Sequence, residues 1–232
     1  MQNIGLEVYA DNLFNMTNFN SIWEELNNVV DKYYVRSAVS AGIQRIVSED
    51  RNLIMNEKLK SLVQHVQNDW AATIEDIKEN FNFNILDVAY MPFPAYKVQI
   101  EVEDHKLKDG VTKKRYLIAT VSLLCNYYTV YFLDRYSITD IDNSPDSLPV
   151  NFSVSFSKVV NPYFKEAAEL FSTLSKIVEK HFPNYHFLPH GMLMTQIVDG
   201  KCELPTVPGD GPHPVFLYLF DADIPKNLEI RE

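Results

Sequence analysis

The strongest constraint on this chain is the run from Ala95 to Asp134, AYKVQIEVEDHKLKDGVTKKRYLIATVSLLCNYYTVYFLD. Tyr96, Val98, Ile100 and Val102 alternate with Lys97, Gln99, Glu101 and Glu103. Successive side chains of an extended chain point to opposite sides, so this pattern predicts one buried row and one wet row. EDHKLKDGVTKK then reads as a wide turn, with Asp109-Gly110 supplying the positive-φ position. Strands are expected over Arg115–Leu124 and Tyr127–Leu133, with Cys125-Asn126 as the turn between them. The result is an antiparallel β-meander.

Upstream the pattern is mostly helical. A short edge strand is expected at Ile4–Tyr9. Ser21 and Glu24 have capping-box spacing, and Ile22, Leu26, Val29, Val30 and Tyr33 carry a helix to about Tyr34. Val39, Ile43, Ile46 and Val47 predict a second helix over Ser37–Val47, followed by a polar break at SEDRN. Leu59, Leu62, Val63, Val66, Trp70, Ile74, Ile77 and Phe81 recur at spacings of three and four, which predicts one long helix packed on the sheet. Ile85–Tyr90 reads as a strand stopped by MPFP, because proline cannot donate to a ladder.

Downstream, RYSITDIDNSPDSLP reads as an acidic loop. Val150, Phe152, Val154 and Phe156 alternate with Asn151, Ser153, Ser155 and Ser157, a strong strand signal. Asn161-Pro162 opens a helix whose apolar stripe runs to Phe182, where Pro183 stops it. Met192–Val198 and Lys201–Val207 flank Asp199-Gly200 and predict a hairpin, with a last strand over Val215–Phe220. No repeat or linker divides the chain. The expected fold is α+β: a meander sheet of about five strands, packed by N-terminal helices and one later long helix. The 232 residues are expected to form one domain, with 1–82 as a candidate helical subdomain and 83–232 holding the sheet.

Chemistry is sparse. The seven glycines form no phosphate-binding motif, and there is no GxSxG elbow. The two cysteines, Cys125 and Cys202, lack zinc-site spacing, and Cys125 sits in an apolar strand with no cation to activate it. Neither a metal nor an organic cofactor is implied. His181, His186 and His190 fall close together, but Pro183 and Pro189 interrupt them. Asp221 and Asp223 form a DxD after an apolar run, as do Asp140 and Asp142. Such pairs can hold a divalent cation, which makes His186, His190, Asp221 and Asp223 the residues of an alternative reading as a metal-dependent hydrolase or transferase. A third reading is nucleic-acid association through the Lys106–Arg115 hairpin.

Charge and aromatics favour a different class. With 31 acidic and 21 basic residues the net charge is −10, which disfavours nucleic acid and anionic membranes and suits a basic partner. Tyr127 and Tyr131 share one strand face, opposite Tyr128, Val130 and Phe132, and Tyr136 follows in the same aromatic run, so one aromatic face is a candidate partner surface. The leading expectation is therefore a non-enzymatic acidic protein-binding module, of the kind of an immunity-type inhibitor that neutralises a toxin or other basic protein. Tyr127, Tyr131, Tyr136, Asp140 and Asp142 are its expected contacts. The first residues, MQNIGLEVYADNLF, have neither a basic leader nor an apolar core, so a cytoplasmic location is expected.

Overall fold

The computed structural model describes residues 16–40, 42–64, 66, 68–108, 111–141, 151–160, 165–202 and 211–220. The expected strand at Ile4–Tyr9, the turn at Asp109-Gly110, the loop residues Asp142 and Asp146, the helix opening at Asn161-Pro162 and the pair Asp221 and Asp223 lie outside them. The fold is α+β. Among the described residues the helices are α1 (Met16–Tyr33), α2 (Glu49–Val63), α3 (Asp69–Asn80), α4 (Lys165–His181), α5 (His190–Thr195) and α6 (Val215–Leu219). No described helix is long and apolar enough to cross a membrane.

The main sheet follows the path β3 (Asn84–Asp87), β4 (Ala95–Lys108), β5 (Val111–Ser122), β6 (Tyr127–Ile141) and β7 (Asn151–Val160), each antiparallel to the next. β8 (His186–Phe187) joins β6 in parallel at Tyr127 and Tyr128, beyond the stretch that pairs with β7. The sheet is thus mixed, not a pure meander. The central hairpin is tighter and longer than the residue pattern suggests, since β4 and β5 stay paired out to Lys108 and Val111. β6 likewise runs through the expected acidic loop as far as Ile141.

Both faces of the sheet are covered at its centre, over the inner parts of β4, β5 and β6. Val98, Ile100, Leu117, Ala119, Val121, Tyr128, Val130 and Phe132 pack with Trp70, Ile74 and Ile77 of α3 and Leu174, Ile177 and Val178 of α4. Ile118, Tyr127, Tyr131 and Leu133 pack on the other side with Leu26 and Val30 of α1 and with every residue of α6. This second layer corrects the wet-row expectation for β4, because Lys97 and Gln99 are buried. The Lys97 ammonium lies over the Phe93 ring, 5.6 Å from its centre.

Several helix expectations yield to local backbone chemistry. Residues 37–47 are not helical. β1 (Tyr34–Val39) and β2 (Gly42–Val47) form an antiparallel hairpin in which Gly42 takes φ +120°, a conformation other residues rarely adopt. Val35, Val39, Ile43, Ile46 and Val47 are β-branched and stiff, so they suit a pleat better than a helix. SEDRN is a helix start instead of a break: Ser48 Oγ accepts from Arg51 N at 3.2 Å, and Glu49 and Asp50 complement the helix dipole. The long helix is two helices, because Asn68 Oδ1 accepts from Ala71 N at 2.9 Å and caps a new start. The bend at MPFP is held from α2, where Lys58 Nζ donates to the carbonyls of Met91, Phe93 and Ala95 at 3.0, 3.0 and 2.9 Å.

The C-terminal part is also rearranged. Met192–Thr195 lies in α5, β9 (Ile197–Val198) pairs with β10 (His213–Pro214), and Lys201 is bridged to Gln44; residues 203–207 of the expected hairpin lie outside the described residues. Val215–Leu219 is a short buried helix and not a strand. A continuous apolar run has no period by which to tell the two apart.

Candidate interaction surface

The β1–β2 hairpin is fixed to the body from its inner side. Tyr34 and Arg45 point inward and are buried. The Tyr34 hydroxyl accepts from Arg51 Nε at 2.8 Å and donates to the Tyr218 carbonyl at 2.7 Å. Burial raises its pKa to about 12, and the neighbouring Arg51 charge offsets only part of that. Arg45 Nη1 donates to Asp31 Oδ1 at 2.7 Å and to the Tyr34 carbonyl at 3.1 Å. Its other nitrogens take both the Asp199 carboxylate and the Asp199 carbonyl. The outer edge of β2 is bridged to Lys201 by Arg45 N–H to Lys201 O at 2.7 Å and Lys201 N–H to Ile43 O at 2.9 Å.

The opposite side of the same hairpin is apolar and open. Val35 and Ile46 are register partners, so their side chains stand together on one face, and they are 48% and 55% exposed. Leu53, on the adjoining helix α2, is 54% exposed. Glu49 and Asp50 are exposed where α2 leaves β2. Arg36, the nearest cation on β1, is held by Asp31 at 3.1 Å and by Asp199 at 3.2 Å. The surface therefore combines an apolar pair and a carboxylate margin, while Arg36 stands on the other face beside its register partner Arg45.

The tyrosines expected to meet a partner are placed differently. Tyr127 and Tyr131 are both buried, which removes them as an exposed contact surface. Tyr127 Oη donates to Glu25 Oε2 at 2.7 Å; burial first, and then that carboxylate, push its pKa upward. Tyr131 packs against His190, ring centres 4.1 Å apart, and meets Phe216 edge-on. Tyr136 is half-buried, with Lys113 and Phe156 as its register partners. Asp140 lies opposite Phe152 on the backbone of β6, and Asp142 is outside the described residues.

The histidine segment disperses. His181 Nε2 reaches Asp76 Oδ2 at 2.7 Å on α3. His186 is exposed and sits by Tyr127, whereas His190 packs on Tyr131. Those two tyrosines are four residues apart on one strand, a rise of about 13 Å, so the two imidazoles serve separate surroundings. Burial, with a smaller contribution from Lys97, lowers the His190 pKa to about 4. The expected partners Asp221 and Asp223 lie outside the described residues, among which no group of three metal-ligating side chains forms.

The basic hairpin is internally balanced. Arg115 grips Asp134 with two nitrogens at 2.6 and 3.0 Å and reaches Glu103 at 2.8 Å. Lys113 lies 3.2 Å from Asp134, and Lys114 bridges Glu101 and Asp104 at 3.1 and 3.2 Å. A nucleic-acid footprint needs cations free to displace counterions, and these three already face carboxylates.

The apolar hairpin face was missed by reading the residues as a helix. Its signal was present in the β-branched residues around Gly42. No family model matches the chain, and comparison with curated proteins and with solved structures also gives no match.

Proposed function

We propose that this chain is a non-enzymatic protein-binding module, an immunity-type inhibitor that neutralises a toxin or other basic protein. The observation that carries the reading is the exposed Val35–Ile46 pair on a hairpin fixed from behind by Arg45 and Tyr34. An apolar centre held in place before binding loses little entropy on association, and a polar, charged margin is the usual surround of such a centre. The net charge of −10 supports a basic partner, since complementary charge speeds encounter and sets specificity. Local pairing of Lys113, Lys114, Arg115, Arg36 and Arg45 leaves the surplus of carboxylates to define the outer field.

The test is affinity capture from the source cells with the intact chain and with a V35S/I46S variant. The wild type should retain one basic protein in stoichiometric amount, with retention falling as salt rises. The variant should bind at least about tenfold more weakly while keeping its fold. Retention that is indifferent to salt, or equal for the two proteins, would count against the proposal.

A further inference from the structure

Along α2 the residues Arg51, Met55 and Lys58 recur at spacings of four and three and form its buried face. Arg51 and Lys58 are cations, and a charge taken out of water has to be compensated. Lys58 is compensated by the carbonyls of Met91, Phe93 and Ala95. Arg45, buried on β2, is compensated by Asp31 and Asp199. Arg51 is 7% exposed and has no such set. Its Nε donates to the Tyr34 hydroxyl at 2.8 Å. Among the described residues no carboxylate pairs with it, and no acceptor takes its Nη1 or Nη2. Those two nitrogens are not sealed in the core, so solvent still reaches them. The charge is not needed for packing: a second methionine, like Met55 one turn on, would fill the place with nothing to desolvate. Nor does Tyr34 need it, since its hydroxyl already donates to the Tyr218 carbonyl.

We propose that the Arg51 guanidinium is the binding site of a small oxyanion, with a phosphate or carboxylate group seated on its Nη1–Nη2 edge. The guanidinium is planar and cationic, and its paired N–H groups match two oxygens of such a group. Tyr34 sets its orientation. The tyrosine hydroxyl donates to the Tyr218 carbonyl at 2.7 Å and accepts from Nε at 2.8 Å, so it is held from both sides and the Nη1–Nη2 edge is the one left to a ligand. Arg51 Cζ stands 5.3 Å from the centre of the Tyr34 ring. A donor pair arranged before the ligand arrives lowers the entropy lost on binding. The small remaining exposure restricts the ligand to an anionic group that enters end-on. The net charge of −10 opposes the approach of any anion, so the affinity comes from the site itself. Leu53 lies on the outer side of the same helix, so this site and the Val35–Ile46 surface do not depend on each other.

Titration of the nitrogen-labelled full chain with inorganic phosphate or with acetate, at constant ionic strength, tests the proposal through the arginine Nε–H signals in NMR. R51K identifies the Arg51 signal by its loss. The expected result is a saturable shift of that signal, with a half-point on the order of 1 mM. Arg45 and Arg115, whose nitrogens already hold carboxylates, stay still. Tighter binding of phosphate assigns a phosphoryl ligand, and tighter binding of acetate a carboxyl one. At ten times the half-point, the preferred anion should raise the wild-type Tm by about 3–5 °C more than that of R51K, which keeps the charge and loses the fork. If R51K folds poorly, Y34F keeps the test decisive, since it removes the Nε partner, leaves the guanidinium and should weaken binding about fivefold. No shift of Arg51 with either anion, a linear drift shared with Arg45 and Arg115, or equal affinity and equal Tm gain in the wild type and the variants overturns the proposal.

Discussion

Arg45 meets Asp199 twice, through Nη2 to the carboxylate Oδ1 at 2.7 Å and through Nε to the backbone carbonyl at 2.6 Å. The same guanidinium holds Asp31 on α1, so one fully buried side chain ties two segments, α1 and the stretch at Asp199, to the hairpin. Both carboxylates are partly exposed, which limits the worth of each ion pair. The loss on truncation comes mainly from the buried bonds to the Tyr34 and Asp199 carbonyls. R45A should lower stability by about 2–3 kcal/mol in urea unfolding. It should also speed amide exchange in β1 and β2 more than in β5. Uniform destabilisation without a local effect on the hairpin would show that Arg45 does not anchor it.

Asp134 gives an acid-side prediction. Burial acts to raise its pKa, but hydrogen bonds and charge from Arg115 and Lys113 outweigh burial, and the net shift is downward. The stabilisation is therefore complete above the ordinary carboxylate range near 4 and is lost as pH falls through the lower folded-state value. D134N should cost about 2 kcal/mol at neutral pH, because it leaves Arg115 and Lys113 short of a charge partner in a half-buried place. Its stability should then change less than that of the wild type between pH 5 and 2. The check is a series of urea midpoints, and parallel curves for the two proteins would refute the linkage.

The sheet was legible because β4 and β7 keep period-two patterns long enough to outweigh other readings, and because β5 and the first half of β6 are rich in β-branched and aromatic residues. α1 and α4 were legible from apolar stripes at spacings of three and four. The β1–β2 hairpin was not, because Val39, Ile43, Ile46 and Val47 satisfy a helical spacing by accident, and Gly42 alone marks the turn. Lys97 and Gln99 were misplaced for another reason. Alternation shows that a strand has two different faces, but not whether a second layer of helices covers the polar one. That layer includes α6, whose unbroken apolar run carried no period. The surface at Val35 and Ile46 followed the hairpin into obscurity, since exposure is a property of the assembled fold.

His190 supplies a prediction near neutral pH. Its folded-state pKa of about 4 lies below the ordinary imidazole value of 6.5, through burial first and the Lys97 charge second. A base whose folded value is lowered stabilises the fold above its unfolded value, and the stabilisation is lost as pH falls because the unfolded chain takes up the proton first. The window is therefore pH 6.5 down to about 4. Between pH 7 and 5 the wild type should lose about 2 kcal/mol. H190F keeps a ring between Tyr131 and Phe216 and should remove most of that loss, while H186A, at an exposed site, should not. Equal pH dependence in wild type and H190F would exclude His190 as the source.

Thr120 and Thr129 are cross-strand partners at the centre of the sheet, both fully buried, and neither hydroxyl has a hydrogen-bond partner among the described residues. Burying a hydroxyl without a partner costs about 1–3 kcal/mol in proteins. Valine has nearly the same shape and no polar atom to desolvate. T120V and T129V should therefore each stabilise the chain by about 1 kcal/mol, against the usual destabilising result of a core substitution. The two sites touch, so the double variant should gain less or more than the sum, and a double-mutant cycle measures the coupling. Urea midpoints decide the matter. A loss of stability in T120V would mean that the hydroxyl has a partner, such as an internal water bridging the two threonines, and a smaller loss in T129V once T120V is present would identify that bridge.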